Sequence, residues 1–269
     1  MNAYLSLTKL NGFDKKSSLF QFVGNKTTKD DLYKSVITEF QTAWKTEKQQ
    51  DWYKEHFNRF YEISNRQQRC YIHSELACKS AFVTGQGRPS VLETHITLHP
   101  IYGIPYIAGT ALKGMAAHFC HRYLGEDEPR FKQGGAYYQV LFGSQEQASS
   151  VCYFDALITP ETVKDSLYLN VLTPHHQLYN KINLNQSSDV TDSAPHDDDT
   201  PVPVHFLEVR GSFRLELAYQ GNDSHSDEWL EIAAEIVSAA LQQEGVGGKT
   251  NSGYGRFISS LLKQEKQEL

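Results

Sequence analysis

From Lys29 to about Gln50 the chain is charged throughout, yet Leu32, Val36, Phe40 and Trp44 recur every four residues and predict the apolar stripe of an amphipathic helix. A second charged stretch, rich in aromatics, runs from Trp52 to Tyr61, and together they make residues 1–68 a mostly helical N-terminal part. The period then falls to two. Between Arg69 and Val83, Cys70, Ile72, Leu76 and Cys78 sit at alternate positions, as in a half-buried strand, and Thr84 to Ser90 follows as a glycine loop.

His95 to Leu98 reads as a further strand, after which the prolines and glycines of HPIYGIPYIAG force an irregular path up to Thr110. Thr110 is placed to cap a helix carrying Leu112, Met115, Ala116 and Phe119 at helical spacing, with Gly125 as its stop. Val151 to Ile158 is apolar on both faces apart from Asp155 and predicts a central, doubly covered strand. Further on, Phe213, Leu215, Leu217 and Tyr219 alternate with Arg214, Glu216 and Ala218, the pattern of a strand with one wet face. A helix starting near Ser226 sets Trp229, Ala233, Val237, Ala240 and Leu241 on one side, and Arg256 to Leu262 closes the chain as a strand. This order suits one elaborated ferredoxin-like α+β domain over residues 1–269, with long insertions. One insertion, residues 183–203, holds five Asp and three Pro with no Lys or Arg, and is expected to be a mobile acidic loop.

Charge narrows the function. With 269 residues, 39% of them hydrophobic, the chain can bury a core, but its net charge of -6 excludes a broadly basic nucleic-acid binder. Any RNA site must be local. The four cysteines form no CxxC pair and read as reduced, buried thiols. No apolar run reaches the roughly 18 residues of a membrane span, and MNAYLSLTKLNGF lacks the basic start and apolar core of a signal peptide, so the cytoplasm is the expected location.

Two segments carry candidate chemistry. From Gly245 to Gly255, five glycines in eleven residues surround Lys249, Thr250, Asn251, Ser252 and Tyr254. Glycine admits positive φ and lets a phosphate approach backbone N–H groups, while Lys249 supplies charge and Tyr254 a stacking face. The GKT within it is not a nucleotide-binding P-loop, because the pattern needs glycine at Gln243 and the loop runs from helix to strand. It is either a glycine-rich turn without a ligand or a phosphate-contacting loop. The second segment, PYIAGTALKGMAAHF, offers free N–H groups at a helix start beside Lys113, and reads either as an anion site or as an ordinary capped helix. A third loop adds Arg88 beside Gly85, Gln86 and Gly87.

Acid–base candidates are His175, His176, Asp155, His118, His121 and the run His196 to Asp199. His175 and His176 are adjacent and would point apart in an extended chain, so a surface or RNA-contacting role fits them better than paired catalysis. His118 and His121 lie three apart on one helix, but two ligands do not define a metal site, and an acidic run in a polar loop is usually solvated. Neither a metal nor a cofactor is expected.

The segments TGQGRPSVLETHITLHPIYGIPYIAGTALKGMAAHF, VLFGS, YFDA, LTPHHQLY, PVPVHFLEV and GVGGKTNSGYGRF, in this order, resemble the RAMP (repeat-associated mysterious protein) superfamily of CRISPR proteins. In particular they resemble the family of sixth subunits of type III-B Cmr effector complexes. The resemblance implies an RNA-recognition-type palm in a backbone subunit holding the 3′ region of a guide RNA. Its partners would be guide RNA, target RNA and other RAMP backbone and small subunits. Its role would be antiviral defence against target RNA, without being the nuclease itself. The residues expected at the RNA are Arg88, Gly109, Thr110, Lys113, His175, Gly247, Gly248, Lys249, Thr250, Tyr254 and Arg256. The alternative from the same superfamily is a metal-dependent endoribonuclease that processes or trims guide RNA.

Overall fold

The computed structural model describes residues 2–8, 28–65, 70–87, 92, 94–173, 201, 203–221, 224–260 and 263–266. Among the described residues, three helices open the chain: α1 (Ala3–Thr8), α2 (Lys29–Ala43) and α3 (Glu47–Asn65). The predicted stripe is real, with Leu32, Val36, Phe40 and Trp44 all buried. The helix is shorter than its periodicity implied. It starts at a reciprocal capping box between Thr28 and Asp31 and ends at Ala43, with Trp44 as its cap, before a new helix begins at Glu47. The aromatic stretch Trp52 to Tyr61 lies inside α3.

The other main elements among the described residues are β1 (Cys70–Cys78), β2 (Tyr106–Ile107), α4 (Gly109–Phe119), α5 (Ala136–Phe142), β3 (Val151–Tyr153), β4 (Ala156–Leu157), β5 (Leu167–Leu172), β6 (Val204–Val209), β7 (Ser212–Tyr219), α6 (Ser226–Gln243), β8 (Phe257–Ser259) and β9 (Lys263–Lys266). The main sheet is antiparallel in the order β3-β7-β1-β8, with β9 on the same edge of β1 as β8. Helices connect β1 to β3 and β7 to β8, so the fold is α+β, as the alternating periodicities indicate. Cys70, Ile72 and Leu76 face Tyr219, Leu217 and Phe213 across the β1–β7 ladder, and with buried Leu230, Ala233, Val237, Ala240 and Leu241 of α6 they form the core.

Several expectations need correction. Val151 to Ile158 is not one central strand: β3 lies at the sheet edge, the chain breaks at Asp155, and β4 leaves to pair with β2. His95 to Leu98 forms no strand, and only Leu98 bridges, to Pro105. The helix does not stop at Gly125. It passes through a π-helical turn, Cys120–Leu124, and a last turn, Gly125–Asp127. The wet face expected of β7 is covered: Glu216 is 0% exposed, Arg214 pairs with it at 2.8 Å, and the Arg214 guanidinium lies 4.5 Å from the Tyr61 ring of α3. The Tyr61 hydroxyl also meets the Arg214 carbonyl at 3.1 Å and accepts from the Leu157 N–H at 3.0 Å, so α3 is pinned to the sheet by backbone partners. Burial pushes that hydroxyl well above the ordinary tyrosine range. Residues 183–200 of the acidic insertion lie outside the described residues.

After β1 the chain stays extended but changes partners. The N–H and carbonyl of Phe82 both bond Val209 at 2.8 Å, which attaches the antiparallel β5–β6 ribbon. The carbonyls of Ala81 and Val83 face the other way and accept from Gly255 and Gly248. Three residues thus carry the ribbon on one edge and the glycine-rich loop on the other. Among the described residues, no helix is long and apolar enough to cross a membrane.

Candidate functional site

The glycine-rich loop leaves α6 at Gly245, whose N–H bonds back to the Ala240 carbonyl at 2.9 Å. Two glycines permit backbone crossings. Gly247 has φ 93°, and a Cβ there would lie 2.3 Å from the Val83 carbonyl oxygen; at Gly255, with φ 73°, the Val246 oxygen would be 2.0 Å away. No side chain fits either place. Lys249, with φ 60°, is the only non-glycine residue at positive φ among the described residues, and a short 3-10 turn over Thr250–Ser252 follows it.

This path decides which backbone donors are spent. Gly248 donates to Val83 at 2.6 Å, while Ser252, Gly253 and Tyr254 fold back on Lys249 and Thr250. The Gly248 N–H is therefore not available to a ligand. The N–H groups of Lys249, Thr250 and Asn251 have no acceptor among the described residues. A left-handed residue followed by right-handed ones is the geometry of an anion-binding nest.

Beside the loop opens a cleft of about 690 Å³, lined by Lys79, Ser80, Ala81, Asn170, Glu208, Arg210 and Tyr254 among others. That volume is within the range of ligand pockets. Glu208, 2% exposed, accepts from Asn170 Nδ2 and from Arg210 Nε at 3.1 Å and Nη2 at 2.8 Å. The carboxylate beside it holds the Arg210 guanidinium above its ordinary pKa. The Tyr254 hydroxyl accepts from Asn170 Nδ2 at 3.0 Å, its ring sits edge-on to Phe206, and burial pushes it above the usual tyrosine value. Lys249 Nζ lies 5.4 Å from the Phe206 ring centre. Arg256 joins through its backbone, donating to Ser80 Oγ at 3.0 Å and accepting from Lys79 N at 2.8 Å, and its buried Nη1 has no partner among the described residues. Cys78 also lines the cleft, and burial pushes its thiol up to about 12, which disfavours the thiolate at neutral pH.

The helix start is a different object from the one its sequence suggests. Thr110 is not the cap: α4 begins at Gly109, and its N-cap, Ala108, makes no side-chain cap bond. The capping group comes from afar, as Asp155 Oδ1 accepts from the Gly109 N–H at 2.7 Å. Gly109 is required because a Cβ would lie 2.1 Å from the Tyr153 carbonyl oxygen. Lys113 Nζ donates to Ser149 Oγ at 2.9 Å, which keeps the ammonium near β3. The Gly109 donor is thus filled from within, and Asp155, a candidate acid, is employed as a cap.

Among the described contacts, α4 meets the start of the loop through His118, whose Nδ1 lies 3.1 Å from Glu244. His121 Nδ1 instead accepts from Gln133 N at 3.1 Å, so the two histidines do not share a ligand. Among the described residues no group of three metal-ligating side chains forms. Arg88, His175, His176 and the run His196 to Asp199 lie outside the described residues. Sequence reasoning missed Lys79, Asn170, Glu208 and Arg210; the alternation of PVPVHFLEV could have shown a strand, but nothing local pairs Glu208 with Asn170.

Comparison with known proteins supplies the lineage. A chain of a type III-B Cmr-beta complex bound to cognate target RNA has the same fold, with a TM-score of 0.60 and 17% identity over 98% of this chain and 89% of that one. The CRISPR system Cmr subunit Cmr6 of Pyrococcus furiosus is 27% identical over 77% of this chain and 72% of its own length. Its counterpart in Saccharolobus solfataricus is 23% identical over 78% of this chain and 65% of its own length. The RAMP superfamily model matches residues 75–258, a span that runs from β1 to β8 and includes the glycine-rich loop, and on that match this chain belongs to the RAMP superfamily.

Proposed function

We propose that this chain is an RNA-binding backbone subunit of a type III-B CRISPR ribonucleoprotein that holds the 3′ region of the guide RNA. It contributes to defence against target RNA without cutting it. Similarity to two proteins named Cmr6 supports the assembly. The β-α-β-β-α-β order of the sheet supports reading it as a ferredoxin-like, RNA-recognition-type palm.

The observation that carries the RNA role is the nest of three unspent N–H groups at Lys249, Thr250 and Asn251, beside a cleft that holds Lys79 and Arg210. Backbone donors contact phosphates without reading sequence, as a scaffold for variable guides requires. The surrounding negative charge falls on a subunit whose other faces would meet proteins. The guide, the target and the neighbouring RAMP backbone and small subunits are its partners in this reading.

The test is reconstitution with those subunits and a guide RNA. Lys249→Ala is expected to weaken guide retention at moderate salt and to lower the slope of log affinity against log salt by about 0.7, one single-strand phosphate contact. Retention and slope identical to the unsubstituted complex would remove the Lys249 ammonium from the interface. RNA shortening by the purified chain, abolished by Asp155→Asn or His175→Ala, would make it a nuclease instead.

A further inference from the structure

We propose that Arg210 grips one phosphodiester of the bound RNA inside the cleft, and that Glu208 is the positioning residue that aims it. This rests on the RNA-backbone reading above and extends it to residues outside the glycine-rich loop.

A guanidinium has five N–H donors arranged on two forked edges. In Arg210, Nε and Nη2 both bond Oε1 of Glu208, which occupies the side edge. The end edge, Nη1 with the second proton of Nη2, has no acceptor among the described residues. Its spacing matches two oxygens of a phosphate. The side chain remains 59% exposed even though its partner Glu208 is 3% exposed, so one end is fixed in the protein and the other faces solvent at the cleft. The Tyr168 ring, 5.1 Å away, bears on the guanidinium as well.

Glu208 is otherwise hard to explain. Burying a carboxylate carries a desolvation cost that an ion pair often only just offsets, and a hydrophobic residue would serve the ribbon as well. Glu208 engages two residues of the cleft wall, Arg210 and Asn170, and Asn170 in turn holds the Tyr254 hydroxyl. One carboxylate thereby orders the whole wall. With Lys79 also in its lining, the cleft sets two cations against one carboxylate in a chain of net charge -6, which favours an anionic guest.

The experiment uses the assembled complex carrying guide RNAs in which single phosphates are replaced, one position at a time, by neutral methylphosphonate. One position is expected to lower the affinity of the unsubstituted complex by roughly tenfold, the scale of a charge-assisted hydrogen bond. Arg210→Ala should produce a similar loss, and the two together no more than either alone. Arg210→Lys, which keeps the charge and tolerates the fold, should restore the salt slope but not the full affinity, because a point charge cannot fork. Additive losses at every position, or full affinity with Arg210→Ala, would overturn the proposal. So would Arg210→Ala complexes that lose a protein subunit while holding RNA normally, since a protein would then occupy the cleft. If photo-crosslinking of the unsubstituted complex finds no RNA on this chain at all, the broader RNA-backbone reading fails, and not the assignment of Arg210 alone.

Discussion

The start of α4 and the loop after α6 look alike in sequence, each with glycines flanking a lysine, and fold into opposites. At the helix start, Gly109 gives its N–H to Asp155 and Lys113 turns to Ser149. In the loop, the glycines bring the backbone across the Ala81–Val83 segment, and the N–H groups of Lys249, Thr250 and Asn251 have no acceptor among the described residues. A glycine-and-lysine motif therefore does not specify an anion site by composition. What matters is whether the rest of the chain supplies an acceptor first.

The sharpest way to break this contrast is at the glycines. Gly109→Ala and Gly255→Ala each force a Cβ to within 2.1 and 2.0 Å of a carbonyl oxygen, and are expected to destabilise the fold by more than about 2 kcal/mol, read as a fall in the urea midpoint. Next comes Asp155→Ala, which strips the remote cap from α4; losing a cap costs about 1 kcal/mol, and the same denaturation series would measure it. Asp155→Asn, which keeps an acceptor oxygen, should recover most of that loss. Smaller still is the difference between the two lysines. Lys249→Ala is expected to lower the salt slope of RNA retention more than Lys113→Ala, whose ammonium already has a partner; equal slopes would erase the distinction.

The smallest effect is on pH. His99 stacks on Tyr102 with ring centres 4.5 Å apart, its Nδ1 accepts from the Tyr102 N–H, and burial lowers its pKa despite the opposing charge of Asp155. Below the unfolded value of about 6.5 the unfolded chain binds the proton first, so stability falls as pH drops from 7 toward the folded pKa. His99→Gln should flatten that part of the melting-temperature profile against pH, and an unchanged profile would clear His99 of the role.

The sequence was most legible where a single period ran for two or more turns. The stripe of α2, the alternation in β1 and β7 and the apolar side of α6 follow from side-chain geometry alone. Failures came where a distant group overrode a local signal. Thr110 is a good cap residue, but Asp155, 46 positions beyond Gly109, caps that residue's N–H instead. Arg214 and Glu216 have the polarity of a solvent face, yet α3 covers them because they pair with each other and the Tyr61 ring takes the cation. In the candidate site, the loop was visible through its glycines and the cleft was not. Asn170 and Glu208 meet only because β5 and β6 pair, and a pairing between strands so far apart in the chain leaves no local mark.

The three residues Ala81, Phe82 and Val83 fix one more property. Ribbon and loop hang from opposite edges of this one extended segment, so the gauge of the cleft between them is set by peptide geometry and not by the side chains that line it. Exchanging Lys79 or Arg210 alters what the opening prefers and leaves that backbone spacing alone. An inserted or deleted residue between Ala81 and Val83 does the reverse: it transposes the two edges, turning Phe82's partners toward the loop and unhooking both walls at once. The spacing of that short segment therefore tolerates a change of length far less than a change of side chain.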